Sequence, residues 1–283
     1  MRQSRLRRAA SAWAAVAAFA AFAVPAACGQ GLPVKTCQTV IAIQNTTARV
    51  TLAEMTSGAG RASGGVVLFN MHDDENTSVE AARAVLRDAT GRLVELRHAG
   101  ARNLAFRSTA PGADTARFAV DPNRIFTNAG AARTLAALSR ADAAVLLAVR
   151  AFADTVLARA GLDTARTVVT LHNNTDRNYS LRSYLAGGDS HADAAAVHQA
   201  PGRDEDDFFF VTERALFDAL AARGFNAVLQ DNARVTDDGS LSVLAARRGQ
   251  RYVNVEAEHG HADVQAAMIR ALLDVLRETP PTR

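Results

Sequence analysis

Two short runs restrict the fold of this chain more than anything else in it. VVLFNM (residues 66–71) and TVVTLH (residues 167–172) are nearly unbroken apolar and β-branched stretches. They lack the in–out alternation of a strand with one wet face. Runs of this kind and length belong to strands buried on both sides, which requires helices on both faces of a mainly parallel sheet. The rest of the chain supplies those helices. Thr77-Ser-Val-Glu80 reads as a capping box that opens a helix to about Asp88. Residues 131–160 read as helical with a break near Ser139, and Glu213–Arg223 and Asp263–Glu278 as two further helices.

Further strands are predicted as two within residues 34–55, then near Leu93–Arg97, before the Asp121-Pro122 turn, and at FFFVT, FNAVLQ and RYVNVEAEHG. Residues 173–207 read as one long polar loop, and Asp237–Ser240 as a turn. The alternation predicts a single α/β domain: three α/β/α layers around a mostly parallel, mixed sheet.

The first 27 residues are set apart from that domain. Arg2, Arg5, Arg7 and Arg8 precede an uncharged, alanine-rich stretch that ends in small residues at Ala26 and Ala27, the pattern of a cleaved signal peptide. The expected mature domain is 28–283, periplasmic or secreted, with no further segment able to cross a bilayer. Those 27 residues hold four arginines and no acid, so the formal net charge of +3 becomes −1 once they are removed. The apparent basicity therefore belongs to export, and a nucleic-acid partner is not expected. Cys28 and Cys37 are the only cysteines. A disulfide between them suits an oxidising compartment, and a lipid anchor on Cys28 is the other use of that position.

Both apolar runs lead into a histidine. His72-Asp-Asp-Glu75 follows the first, and His172 closes the second. In parallel sheets the ligand crevice opens beyond the carboxyl ends of the strands, so these groups are expected to meet. Two histidines and a glutamate, plus one open position, are a standard catalytic zinc set. A further carboxylate is then needed to handle the proton of water. Glu256, late in YVNVE, suits that role, with Glu258 on the same strand face as the open alternative.

In this order the motifs resemble the zinc carboxypeptidases and their succinylglutamate desuccinylase/aspartoacylase relatives. His-x-x-Glu comes first, a histidine follows after 96 intervening residues, and a glutamate after 83 more. DPNRIF also resembles the Asn-Arg pair that holds the substrate carboxylate in that family, here Asn123 and Arg124. The resemblance implies Zn²⁺ on His72, Glu75 and His172, with Glu256 and Arg124 as catalytic residues. It implies a peptide or N-acyl amino acid substrate, and the export signal extends this to peptidoglycan peptides. Asn173 and Asn174, next to a presumed ligand, are candidates for orienting the substrate backbone or for supporting the ligands from behind, and Tyr179 and Tyr184 are candidates for the family's loop tyrosine.

A zinc N-acetylmuramoyl-L-alanine amidase is the alternative enzyme, and a silent relative that binds wall fragments is the non-enzymatic one. His259 and His261 either line the cleft or merely end a strand. His191, His198 and the RDEDD run (Arg203–Asp207) are expected in solvent. No phosphate loop, serine elbow or Cys/His nucleophile pair is present.

Overall fold

The computed structural model describes residues 29–30, 34–58, 65–109 and 116–279. The signal segment and Cys28 lie outside those residues, while Cys37 is disulfide-bonded.

Among the described residues, twelve strands and six α-helices follow one another as β1 (Gly29–Gln30), β2 (Val34–Ala42), β3 (Arg49–Ser57), β4 (Val66–Asn70), α1 (Asn76–Val85), β5 (Gly91–Arg97), β6 (Leu104–Arg107), β7 (Arg117–Val120), α2 (Asn128–Leu138), α3 (Ala143–Arg159), β8 (Thr167–Asn174), β9 (Ala194–His198), β10 (Phe208–Val211), α4 (Arg214–Ala222), β11 (Asn226–Gln230), α5 (Leu241–Arg247), β12 (Arg251–Glu258) and α6 (Ala262–Glu278). Ten strands form one sheet in the order β1-β2-β3-β5-β4-β8-β12-β10-β11-β9. The centre, β5-β4-β8-β12, is parallel. β3 and β10 join it antiparallel on either side, so the sheet is mixed, as expected.

The two apolar runs lie at the centre because they can be dry on both faces. Val67 and Phe69 of β4 belong to one core cluster with Val149, Phe152 and Val156 of α3. Leu68 belongs to another with Val85 of α1, Leu220 of α4 and Leu272 of α6. Each fully buried side chain of this size contributes roughly 1.5–3 kcal/mol. Helices therefore cover both faces, and the three-layer reading holds.

Four local expectations need correction. The capping box at Thr77 does not form: α1 starts at Asn76 behind Glu75, with no side-chain cap. Glu75 is drawn instead to two histidines, and Thr77 accepts a bond from the Gly260 amide (3.0 Å). The loop at 173–207 contains the edge strand β9, whose sequence, AAAVH, is weak in strand-formers. His198 is thereby half-buried on that strand. Within the RDEDD run, Asp206 and Asp207 are buried, not solvated; Asp206 carries the carbonyl that Asn174 binds (2.6 Å) and Asp207 accepts the Glu258 amide (3.1 Å).

Candidate metal centre

Three neighbouring central strands deliver the site from their carboxyl ends. His72 lies just past β4, His172 lies near the end of β8, and Glu256 stands on β12. His172 and Glu256 are register partners on adjacent parallel strands, so their side chains leave the same face.

The expected ligands converge. His72 Nδ1 lies 2.8 Å from Glu75 Oε1 and 3.1 Å from His172 Nδ1, and His172 Nδ1 lies 2.8 Å from Glu75 Oε2. All three residues are buried. A tetrahedral zinc set has donor atoms about 3.3 Å apart. Opening by a few tenths of an ångström would admit the ion, so the donor set, its spacing and its dryness all fit a divalent metal.

Electrostatics agree. Burial alone would push the His72 imidazole down, but it lies between Glu75 and Asp121, which together hold it up at about 9. Burial would raise the Glu75 carboxyl, yet the two histidines hold it well below the usual carboxylate range. His172 is lowered, chiefly by burial. The metal-free triad thus carries its extra proton on His72, beside Glu75 and Asp121.

Two partners of the triad were missed by sequence reasoning. Asp121 shows in the sequence only as part of a turn; it accepts from His72 Nε2 at 2.9 Å and so fixes which ring nitrogen faces Glu75. Arg102 donates to Glu75 Oε1 at 2.7 Å. It carries no sequence signal, being one arginine in a chain whose 32 basic residues include a single lysine. Asp73 sets its approach by accepting the amides of His98 (2.5 Å) and Gly100 (2.6 Å) in the preceding loop.

His72, Glu75, His172 and Arg102 line a cavity of about 730 Å³. Glu256 lines it and is buried; Oε1 accepts from Asn254 at 3.1 Å while Oε2 has no partner. Burial, reinforced by the charge of Glu75, pushes the Glu256 carboxyl up to about 8. Glu258 is not among the lining residues. Its carboxylate turns to His261 (3.6 Å), and with Asp204 the three form a second, more exposed group of potential ligands. His259 lines the cavity and His261 does not.

Asn123 and Arg124 also line it. Asn123 Nδ2 approaches His172 Nε2 at 3.5 Å, and its Oδ1 accepts the Leu241 amide at 3.2 Å. Arg124 pairs with Asp238 at 3.4 Å. Asn173 reaches the cavity wall, but its side chain is committed elsewhere. Its oxygen takes the Ser78 amide, and its nitrogen serves the Ala257 carbonyl and Gln265. It ties α1 and α6 to β8, the supporting one of its two expected roles, and has no free donor toward the cavity. Tyr179 and Tyr184 bond to each other through their hydroxyls and pack on Phe208. Tyr179 is thus part of a packed aromatic wall of the cavity, not a free loop tyrosine.

No family model matches the sequence, and no curated protein matches it. Among solved structures, the chain is similar to an aspartoacylase family protein from Mesorhizobium loti (16% identity, TM-score 0.43, covering 89% of this chain and 70% of that one). It is similar to the murein-tripeptide amidase MpaA from Escherichia coli O157 (16% identity, TM-score 0.42, 84% and 94%). It is also similar to a metallo-carboxypeptidase from Burkholderia cenocepacia (12% identity, TM-score 0.41, 84% and 63%). Among the described residues no helix is long and apolar enough to cross a membrane.

Proposed function

We propose that the chain is an exported zinc-dependent hydrolase that cleaves an amide or peptide bond in a carboxylate-bearing substrate. One observation carries the reading. A single cavity wall holds a buried His72–Glu75–His172 donor set, a buried carboxyl with a free oxygen, and an Asn-Arg pair.

Zinc held by His72, Glu75 and His172 would supply Lewis acidity, activating water and polarising the substrate carbonyl. The remaining work falls to this chain's side chains. Arg124 can take a substrate carboxylate in two parallel bonds, with Asn123 beside it, and so fixes the distance from carboxylate to scissile bond. Glu256, on the strand next to His172, takes the proton released as water attacks and later delivers it to the leaving amine. A carboxyl near neutrality is suited to doing both. Arg102 places a second guanidinium at the same wall, where it can balance charge developing on the carbonyl oxygen.

Peptides and N-acyl amino acids meet these requirements. The arginine-rich, alanine-rich start of the sequence supports export, and an exported enzyme would meet cell-wall peptides. Metal analysis of the purified chain, followed by a mass-spectrometric screen of muropeptides and N-acyl amino acids, tests the reading. About one zinc per chain and a product that disappears in Glu256→Gln are expected. A metal-loaded chain that cleaves nothing carrying a free carboxylate would overturn it.

A further inference from the structure

Outside the cavity, the carboxyl ends of β8 and β12 meet the Asp204–Asp207 segment and the start of α6. Asp204, Glu258 and His261 each offer one donor atom there, and these atoms all lie within 4.8 Å of one another. None of the three lines the catalytic cavity. His261 Nε2 stands 3.6 Å from Glu258 Oε2. That is too long for a hydrogen bond, but near the spacing of about 3.3 Å between two donors that share a zinc-sized ion.

Exposed carboxylates gather on many surfaces without a ligand; the buried groups around this cluster set it apart. Of the buried side-chain atoms that lack a partner among the described residues, three belong to this junction: Asn174 Oδ1, Asp206 Oδ1 and His261 Nδ1. Orphans of that kind call for an ion or ordered water to complete their bonding. Asn174 is the register partner of Glu258 on the adjacent parallel strand, so the two side chains leave the same face. It is 6% exposed. Its amide nitrogen serves the Asp206 carbonyl (2.6 Å), so the atom left over is an acceptor. Asp206 is 4% exposed, and its amide is held by Asp204 Oδ1 (3.0 Å). Burial pushes the Asp207 carboxyl up against the pull of the Glu258 amide, and Asp204 and Asp206 push the same way as burial. Among the described residues no arginine or lysine pairs with Asp204, Asp206, Asp207 or Glu258.

Uncompensated carboxylates beside an imidazole and two buried acceptors need positive charge and hydrogens together. We propose that Asp204, Glu258 and His261 bind a second divalent transition-metal ion, whose bound waters donate to Asn174 Oδ1 and Asp206 Oδ1. The imidazole selects such an ion over calcium, which takes oxygen ligands. These donors are more exposed than the buried triad, so the ion is held more weakly and exchanges. Its role is structural. The Asp204–Asp207 segment takes the Leu181 amide on the Glu205 carbonyl (2.8 Å) and the Arg177 amide on Asp206 (3.1 Å). The ion therefore clamps the β12–α6 corner to the segment that positions Tyr179 and Tyr184.

Manganese is the probe, because electron paramagnetic resonance separates free from bound Mn²⁺. The zinc-loaded full-length chain is titrated with manganese chloride while its zinc content is followed. One manganese per chain is expected, with a dissociation constant of about 0.1–1 mM, as in weak extracellular ion sites. His261→Ala and Asp204→Asn should each weaken it by about tenfold or more, with zinc content unchanged. Manganese should raise the melting temperature of the parent chain and of neither variant. Should His261→Ala fail to fold, Asp204→Asn, which keeps the oxygen that holds the Asp206 amide, carries the test. No manganese binding, binding that survives either substitution, or manganese that enters only by displacing zinc overturns the proposal. The outcome is independent of what the catalytic cavity cleaves.

Discussion

Asp121 accepts a hydrogen bond from Nε2 of His72 at 2.9 Å, and this contact sets which nitrogen of the ring is left for a metal. With Nε2 held as the donor, Nδ1 points at Glu75 and His172. Removing such an outer partner typically weakens metal binding by 10–100-fold. Asp121→Ala is therefore expected to lower zinc affinity by about that factor, measured by competition against a chromophoric chelator. His72→Ala should abolish stoichiometric binding. An Asp121→Ala protein with unchanged affinity would remove the aspartate from the site.

Glu256 and Glu258 are separated by one residue on one strand face, yet their surroundings differ sharply. Glu256 is buried in the cavity with one oxygen free; Glu258 is half-buried, its backbone amide bonded to Asp207 and its carboxylate turned to His261. Glu256→Gln keeps the shape and removes the base. Turnover should fall by about 10²–10⁴-fold, the usual contribution of a positioned acid–base group, with zinc content unchanged. Glu258→Gln should stay within a few-fold of the unchanged enzyme. The reverse pattern would exchange the two roles.

Much of this site was legible before the fold, for a physical reason. A metal at the edge of a parallel sheet draws its ligands from strand exits, and a buried strand advertises its exit by an apolar run that stops at a polar residue. His72, Glu75, His172 and Glu256 carry that signature. Arg102 does not, because it sits in a loop of an arginine-rich chain and its role depends on where Asp73 holds that loop. The capping box misled because Thr77 and Glu80 have the right spacing, while Glu75 has a stronger claim on the turn through the histidines.

The placement of Arg124 depends on two glycines. A Cβ on Gly130 would lie 2.1 Å from the Gly239 Cα, and one on Gly239 would lie 2.3 Å from the Arg124 carbonyl oxygen. Gly239 also has φ +88°, where a side chain is strained. The backbones of α2, the Asp237–Ser240 turn and Arg124 therefore touch directly. Gly130→Ala should cost roughly 1–3 kcal/mol, as overpacking generally does, and move Arg124. A lower melting temperature is expected, with KM for carboxylate substrates raised more than kcat is lowered. Arg124→Lys should raise KM without the loss of stability, since it removes only the two-pronged donor.

Stability and metal uptake should respond to pH in opposite senses. In the metal-free chain His72 is raised to about 9 and Glu256 to about 8. The His72 contribution is complete below its ordinary value near 6.5 and is lost as pH rises through about 9. The Glu256 proton follows the same sign, with stability lost between its ordinary carboxyl range and about 8. Glu75, held low, acts oppositely and loses its contribution only in acid. The metal-free protein should therefore melt highest on the mildly acidic side of neutrality and lower as pH approaches 9. Zinc must displace the His72 proton, so its affinity should climb by up to about tenfold per pH unit below that value. The rise in melting temperature on adding a fixed excess of zinc should thus grow steadily from pH about 6 to about 8. Thermal melts with and without zinc across that range check the sign; a zinc-induced shift that shrinks with pH would mean that His72 does not hold the proton the metal replaces.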